Sequence, residues 1–245
     1  MHNTLDSFFD QYFSRHPVNA TCTGIHAHDT RLPDWSGEGR AAEADERRTI
    51  RQHMTGDTSL NAELACANLD VRNAEHESGF FIDRNPALWT GEAIFGAVSL
   101  MLRDFAPRDE RMVSLAARLE AVPAFLMTLR GELPTAVPAR WTARAQRECR
   151  AAVQLFGAGL DKWLELEHGE PARLALVRAA ATRAQAAFYE CDAWLSTRPP
   201  ATESEFRAGD ELFGVLLSRG HLCHKPAADL LRDAIDAMGP AQTRL

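Results

Sequence analysis

The sequence predicts an all-α protein, a layered or antiparallel bundle of about nine helices with no sheet. Apolar residues recur at three- and four-residue spacing through most of the chain. Short breaks rich in Gly, Pro and Asp separate these stretches, and no segment alternates apolar and polar residues as a strand does. We therefore expect a single helical domain over residues 1–245, which could divide into 1–135 and 136–245.

The first quarter of the chain predicts two helices around an irregular segment. Aromatic residues at helical spacing predict a helix over residues 3–15, which should end before Pro17. Residues 16–35 do not read as helix, because proline and glycine interrupt them. A charged, alanine-rich helix is predicted over residues 38–54.

The middle of the chain predicts three helices that begin near proline or aspartate. Asp57 is expected to cap a helix that ends near residue 81. Pro86 suits the first turn of the next helix, whose apolar face is wide enough to be buried. A third helix follows Pro107, and Pro123 should kink or split it.

The last part predicts a long antiparallel pair and two shorter helices. One helix is expected over residues 139–167, and its successor, ending before residues 198–200, carries a seven-residue apolar repeat. Residues 202–205 resemble a capping box for another helix. The final helix is expected over residues 226–238, ended by the glycine and proline at 239–240.

The composition excludes several classes of protein. The chain has 27 Lys+Arg against 34 Asp+Glu and a formal net charge of -7, so we expect no nucleic-acid or anionic-membrane partner. Its five cysteines are widely spaced without a C-x-x-C pair, which argues against a disulfide framework or a cysteine zinc site. The N-terminus lacks a signal pattern, and the most apolar stretch, residues 93–102, is shorter than the roughly 20 residues of a membrane span. We expect a cytoplasmic protein.

Residues 16–35 concentrate the polar side chains that could serve a function. His26 and His28 could together reach one metal ion from an extended segment, or with Asp29 serve an independent hydrolase. The alternative is turn chemistry, in which Asp29 bonds backbone N–H groups. The candidates for lining a cleft or positioning this loop are His26, His28, Asp29, Arg31 and Asp34; none is assigned as catalytic or as a metal ligand.

Other motifs favour structural interpretations. His76-Glu77 begins like the zinc signature H-E-x-x-H, but Phe80 stands where the second histidine should be. Residues 221–224 offer soft zinc ligands, although a polar turn between helices is the favoured interpretation. No serine or cysteine nucleophile lies in a recognisable signature. The tryptophans on helix seams are predicted to be core: Trp141, Trp163 and Trp194.

Four blocks of residues resemble one protein family. The first matches P-x-x-A-T-x-x-G-x-H-x-x-D-x-x-L-P-D at Pro17, Ala20, Thr21, Gly24, His26, Asp29, Leu32, Pro33 and Asp34. The others, in order, are residues 85–89, residues 103–107 with 117–119 and 122–123, and residues 206–212. Together they resemble the bacterial family of unknown function DUF885.

This resemblance implies a helical protein similar to zinc peptidases. Full-length members look about twice as long as this chain and carry an H-E-x-x-x-H-H motif in their C-terminal half, which this sequence lacks. The chain would then be an N-terminal half that forms the helical wall of a cleft. No zinc ligand or catalytic residue can be carried over, and zinc is expected only where a C-terminal half is present.

Two functions follow as expectations. The first is the scaffold half of a zinc-dependent peptidase or hydrolase of the DUF885 type, which would not be catalytic alone. Its partners would be a C-terminal half or a companion chain with the metal site, and a peptide-like substrate. The alternative is a stand-alone, non-catalytic helical binding or interaction protein.

Overall fold

The structure, a computed structural model, describes residues 4–167, 170–202 and 207–242. Within these ranges every regular element is a helix, and the one bridge of the strand type joins Val137 to Pro200. The predicted all-α bundle without a sheet is confirmed. Two of the eleven α-helical segments are halves of one interrupted helix, so this described part contains ten helices.

The eleven α-helical segments divide into six before residue 135 and five after it. The first six are α1 (Thr4–Arg15), α2 (Pro17–Thr23), α3 (Gly37–His53), α4 (Leu60–Ser78), α5 (Pro86–Met101) and α6 (Arg108–Glu132). The others are α7 (Ala139–Gln154), α8 (Leu160–Glu167), α9 (Pro171–Ser196), α10 (Asp210–Val215) and α11 (Ala227–Gln242). Two π-helical turns, Leu155–Gly159 and Leu216–Gly220, follow α7 and α10.

The segment 16–35 differs from its prediction because its first third is the helix α2. Pro17 occupies the first turn, where its missing N–H leaves no helical bond unmade. Gly24 ends the helix in the left-handed conformation, with a φ of 93°, which glycine adopts without steric cost. The proline and glycine that were expected to exclude a helix therefore mark its two ends.

Ser59, and not Asp57, caps α4. The Ser59 hydroxyl accepts a hydrogen bond from the backbone N–H of Ala62 at 3.3 Å. Asp57 acts one step earlier, where its carboxylate accepts from the Ser59 N–H at 2.9 Å. The predicted cap is wrong by two residues, because aspartate and serine bond backbone groups in similar ways.

The long helix predicted over residues 139–167 is interrupted, whereas α6 is not. Gly157 has non-helical backbone angles inside the π-helical turn, φ -92° and ψ -111°. At this turn the side-chain amide of Gln185 in α9 donates a hydrogen bond to the Phe156 carbonyl oxygen at 3.1 Å. This bond stands in place of one from a backbone N–H of the helix. The helix α6 continues through Pro123, so the predicted split is wrong; Leu119 and Leu126 on either side of it are buried in the core.

The C-terminal predictions are corrected in part. The helix α11 continues to Gln242, so residues 239–240 do not end it. A proline close to a helix end removes only one bond of the last turn. Most of the predicted capping box lies in residues 203–206, outside the described residues, and the next described helix begins only at Asp210.

The main core lies where α5, α6, α7 and α9 pack together. The predicted seven-residue repeat of α9 begins at the half-buried Leu174 and is fully buried from there on, at Val177, Ala181, Ala184, Phe188, Cys191 and Leu195. Trp163 and Trp194 are half-buried at the edge of this core, and Trp141 packs edge-on against Phe80. The core draws side chains from both sides of residue 135, and the division at that point stays a prediction.

A smaller, separate core joins α1, α3 and α4 to one another. Phe8 of α1, Ile50 of α3 and Leu69 of α4 meet in a separate buried cluster.

By length and composition, α6 could cross a membrane, with a mean hydropathy of 1.5 in its most apolar window. Half of that window is buried inside the fold, and core helices of soluble proteins pass the same test. The absence of a membrane partner stays a prediction.

Candidate functional site

An open groove of about 1040 Å³ lies between α1, residues 30–35, α3 and α6. Trp35 lies at its inner side and packs edge-on against the buried Trp89, with ring centroids 5.3 Å apart. Arg15 of α1 pairs with Glu46 of α3 at one wall, Nε to Oε2 at 2.9 Å. The groove therefore combines an apolar inner side with a charged rim, as binding clefts do.

Two of the five predicted residues, Arg31 and Asp34, line this groove. The Asp34 carboxylate accepts from the backbone N–H and the hydroxyl of Ser36, at 3.1 and 2.7 Å. Asp34 therefore forms the turn that leads into α3.

Arg31 donates to His28 Nδ1 at 2.7 Å. Burial, with the nearby Arg31 charge, lowers the pKa of His28. Both effects favour the neutral form of the His28 ring.

Behind this loop, the fully buried Arg118 of α6 organises a polar network. Its guanidinium donates five hydrogen bonds of 2.6–3.1 Å, to the carbonyls of Pro17, Arg31 and Gly96 and to the hydroxyls of Thr21 and Ser99. Burial lowers the pKa of Arg118 to about 10, with Asp29 acting in the opposite direction. It remains charged at neutral pH and ties α2 and the loop to the core.

The network extends from Arg118 through Thr21 and Asp29 to His26. The Thr21 hydroxyl lies 2.5 Å from Asp29 Oδ1, and Arg118 Nη2 lies 4.0 Å from the same oxygen. Asp29 Oδ2 lies 3.0 Å from His26 Nδ1. A carboxylate can only accept, so the proton of a neutral His26 ring lies on Nδ1 and Nε2 is left as an acceptor.

His26 is held in a fixed orientation at the protein surface. Its ring stacks flat on Phe105, with centroids 3.9 Å apart and an interplanar angle of 4°. One third of the side chain is exposed, while Asp29 is buried. A histidine fixed by a carboxylate on one nitrogen and open on the other can accept a proton or a hydrogen bond from a bound molecule.

A second, more enclosed cavity of about 250 Å³ lies between α3 and α4. His16 Nε2 lies 3.2 Å from Glu43 Oε1, and Arg47 pairs with the same carboxylate. Burial acts to raise the pKa of Glu43, but the hydrogen bond and charge of His16 and the charge of Arg47 outweigh it and lower the pKa. Burial raises the pKa of Glu75. His76, from the incomplete zinc signature, also lines this cavity.

The described residues do not form a metal site. No three His, Cys, Asp or Glu side chains lie close enough to hold an ion anywhere in 4–167, 170–202 and 207–242. The two metal alternatives considered from sequence, at residues 26–29 and 221–224, therefore have no complete set of ligands there. The zinc that the family resemblance implies does not fit these residues.

Arg118 and Glu92 were not predicted as site residues, although Arg118 lies in the third family block, within residues 117–119. Arg118 occupies an apolar stripe of α6, between Leu115 and Val122, and an arginine in such a stripe signals a buried polar network. Glu92 of α5 is half-buried, and burial raises its pKa to about 7 although Arg118 acts against this. Its place inside an otherwise apolar helix is a similar signal.

Comparisons with known proteins agree with this architecture. A solved structure from Shewanella oneidensis, described as "a putative lipoprotein of unknown function", superimposes with a TM-score of 0.77 at 19% identity. The match covers 99% of this chain and 47% of that one, so this chain spans about half the length of the solved protein. No curated protein matches the sequence.

The fold and the groove define an all-α protein with an open cleft walled by an irregular loop. The model of the DUF885 family, described as bacterial protein of unknown function, matches residues 17–239. This chain belongs to the DUF885 family. The four blocks that suggested the family thus identify it correctly.

Proposed function

We propose that this chain is the N-terminal, helical scaffold half of a zinc-dependent peptidase or hydrolase of the DUF885 type. It shapes and binds a peptide-like substrate and does not catalyse hydrolysis alone. A C-terminal half or companion chain supplies the metal ligands, since the sequence has no H-E-x-x-H type motif. The match to about half of a longer solved chain supports this division.

The open groove is the observation that carries the proposal. An extended peptide can lie between α1 and α6, with apolar side chains against Trp35 and Phe125. Arg31 at the rim offers charge-assisted hydrogen bonds to carboxylate or carbonyl oxygens. His26 lies in the same loop, where the Arg118 network fixes its position and leaves Nε2 open to a bound molecule.

The test is hydrolysis by the reconstituted protein. We expect the chain combined with a half that carries H-E-x-x-x-H-H to cleave fluorescein-labelled casein, and the chain alone to be inactive. Ala124 is exposed and lines the groove, so Ala124→Trp should obstruct it and lower cleavage at least about tenfold, whereas Ala124→Ser should not. Equal activity of the two variants would contradict the assignment of the groove.

Metal analysis of the chain alone gives an independent test. After washing with a chelator, zinc measured by mass spectrometry should lie well below one ion per chain. Stoichiometric zinc would contradict the claim that the metal ligands reside in the other half.

The alternative is a stand-alone, non-catalytic binding protein, and the completeness of the groove within this one chain favours it. On this alternative the chain alone binds labelled casein peptides, Ala124→Trp weakens that binding, and no hydrolysis appears on reconstitution. Fluorescence anisotropy without any binding would rule it out.

We propose a cytoplasmic location, as expected from the sequence. The solved relative is described as a lipoprotein, a description that applies to that protein alone. Fractionation of the source bacterium, with an antibody against this chain, would decide between soluble and membrane-bound pools.

A further inference from the structure

The enclosed cavity between α3 and α4 is lined by charged and apolar side chains together. Its volume of about 250 Å³ lies below the roughly 300–1,000 Å³ of sites for drug-sized ligands, so it suits a molecule of amino-acid size. Three arginines and three carboxylates of its lining balance each other in charge: Arg40, Arg47, Arg72, Glu43, Glu75 and Asp83. Such a lining favours a ligand that carries both charges over a simple anion or cation.

Most of these charges are already paired inside the protein. Arg40 donates to Asp83 Oδ1 at 2.8 Å and to Glu132 Oε2 at 2.9 Å. Arg47 pairs with the buried carboxylate of Glu43, one turn away on α3. Groups that are paired in this way stabilise one another in a partly buried setting, so they gain little from a bound ligand.

Arg72 and Glu75 differ from the other charged residues of the cavity. They lie three residues apart on one face of α4, and Arg72 Nη1 is 3.7 Å from Glu75 Oε2, beyond hydrogen-bond distance. Within the part of the chain that the structure describes, neither side chain makes a hydrogen bond. Burial raises the pKa of Glu75, although the charges of Arg72 and Arg47 act against it. A cation beside Glu75 would therefore stabilise its charged form.

Apolar side chains complete the lining of the cavity. Phe81 and Ile82 come from the loop between α4 and α5, Leu88 comes from α5, and the buried Trp35 precedes α3. A pocket that joins such a surface to a pair of charges lets a ligand bury hydrocarbon while its own charges stay paired.

We propose that this cavity binds a free α-amino acid with an apolar side chain, whose carboxylate pairs with Arg72 and whose ammonium pairs with Glu75. In a free amino acid the two charges are attached to one carbon, so they lie side by side as the two protein groups do. A peptide carries its terminal charges on different residues, which separates them. The guanidinium can bind the carboxylate through two parallel hydrogen bonds.

This inference does not rest on the proposed function, because the cavity binds its ligand whether or not the open groove takes a peptide. The first experiment is isothermal titration calorimetry of the 245-residue chain with L-leucine. We expect one site per chain with a Kd below about 1 mM. N-acetyl-L-leucine lacks the ammonium and L-leucinamide lacks the carboxylate. Each should bind at least about tenfold more weakly, because one protein charge is left unpaired.

Glycine tests the apolar part of the cavity. It keeps both charges but has no side chain to bury, so it should also bind at least about tenfold more weakly than L-leucine.

Arg72→Met and Glu75→Gln test the two charged residues. Each should weaken the binding of L-leucine at least about tenfold, because a charge-assisted hydrogen bond is lost. Arg232 and Asp229 of α11 provide the matched control, since they also pair three residues apart but lie outside the cavity. Arg232→Met and Asp229→Asn should bind L-leucine as the original chain does.

Leu88→Trp tests the cavity without removing a charge. Leu88 is 36% exposed, so the fold can accept a larger side chain there, and the indole should obstruct the cavity. L-leucine should then bind at least about tenfold more weakly. Leu64→Trp, on α4 and outside this cavity, is the control and should leave binding unchanged.

Several results would overturn the proposal. The first is no binding of L-leucine at about 10 mM, tenfold above a Kd of 1 mM. Equal binding of L-leucine and either of its blocked forms would also overturn it, as would unchanged binding by Arg72→Met or Glu75→Gln. Tighter binding of the dipeptide leucyl-leucine than of L-leucine would assign the cavity to the end of a peptide and contradict a site for free amino acids.

Discussion

Arg118 is the residue on which the geometry of the site depends most. It is fully buried, and its hydrogen bonds join α2, the loop before α3 and α5. Arg118→Met should lower the free energy of unfolding by about 3–5 kcal/mol, because several buried acceptors and the Asp29 carboxylate lose their partner. Urea denaturation measures this change.

The control for Arg118 is an arginine with an exposed ion pair. Arg183 of α9 pairs with Glu120 of α6 at the surface, Nε to Oε2 at 2.8 Å. Arg183→Met should change the free energy of unfolding by less than about 1 kcal/mol. A similar decrease in the free energy of unfolding for the two variants would mean that the Arg118 network does not stabilise the loop.

Glu92 should make stability depend on pH. Its pKa in the folded protein is raised from 4.5 to about 7, so the folded state binds the proton more tightly than the unfolded state. The contribution is favourable at low pH and is lost as pH rises through 7. Glu92→Gln should therefore stabilise the protein at pH 8, on the order of 1–2 kcal/mol, and much less at pH 4.5.

Urea denaturation at the two pH values tests this expectation. Glu77→Gln, at an exposed carboxylate of α4, is the matched control and should give the same small effect at both. A stabilisation by Glu92→Gln that is as large at pH 4.5 as at pH 8 would show that the carboxyl is not held neutral by burial.

At the scale of elements, the junction between residues 30–35 and α3 depends on Gly39. A Cβ at Gly39 would lie 2.6 Å from the Asp34 carbonyl oxygen, which is backbone and cannot move freely. Gly39→Ala should therefore destabilise the protein by about 1–3 kcal/mol and disturb the wall of the groove. Thermal unfolding measures the first effect, and casein-peptide binding measures the second.

Gly131, in the last turn of α6, is the control for Gly39. A Cβ there would have no heavy atom within 4 Å, and the residue lies inside a helix. Gly131→Ala should stabilise the protein by roughly 0.5–1 kcal/mol, because alanine favours the helical backbone more than glycine does. If Gly39→Ala also stabilises, the close approach of Asp34 is not tight in solution.

At the scale of the whole molecule, the shared core predicts cooperative unfolding. The packing of α6 on α9 joins the parts before and after residue 135 in one buried cluster. Phe188→Ala, at a fully buried ring of α9, should cost about 3–5 kcal/mol and lower the midpoint for both parts together. Tyr189→Ala, one residue along and 72% exposed, should have little effect.

Circular dichroism and the fluorescence of single-tryptophan variants can follow the two parts separately. Trp89 reports on the first part and Trp194 on the second. Coincident transitions are expected; two separate transitions would favour the division at residue 135 and contradict the single unit.

Most of the fold was predictable because helical periodicity and Pro and Gly breaks are local signals. The seam of α9, from Val177 to Leu195, follows directly from its seven-residue repeat. The errors arise where one residue type is compatible with two structures. Pro17 follows the end of α1 and also begins α2. Pro123 stays inside α6, where residues close to it are buried in the core.

The sequence by itself determined the all-α class, the family and the loop that carries His26, Asp29, Arg31 and Asp34. Only the tertiary structure decided that these residues separate, with Arg31 and Asp34 at the groove and His26 with Asp29 on a network behind it. Arg118 produces this arrangement, because its place on α6 lets it donate hydrogen bonds to Pro17 and Thr21, which lie about a hundred positions earlier in the chain. No local pattern specifies such a contact; the packing of α2 and α6 against α5 does.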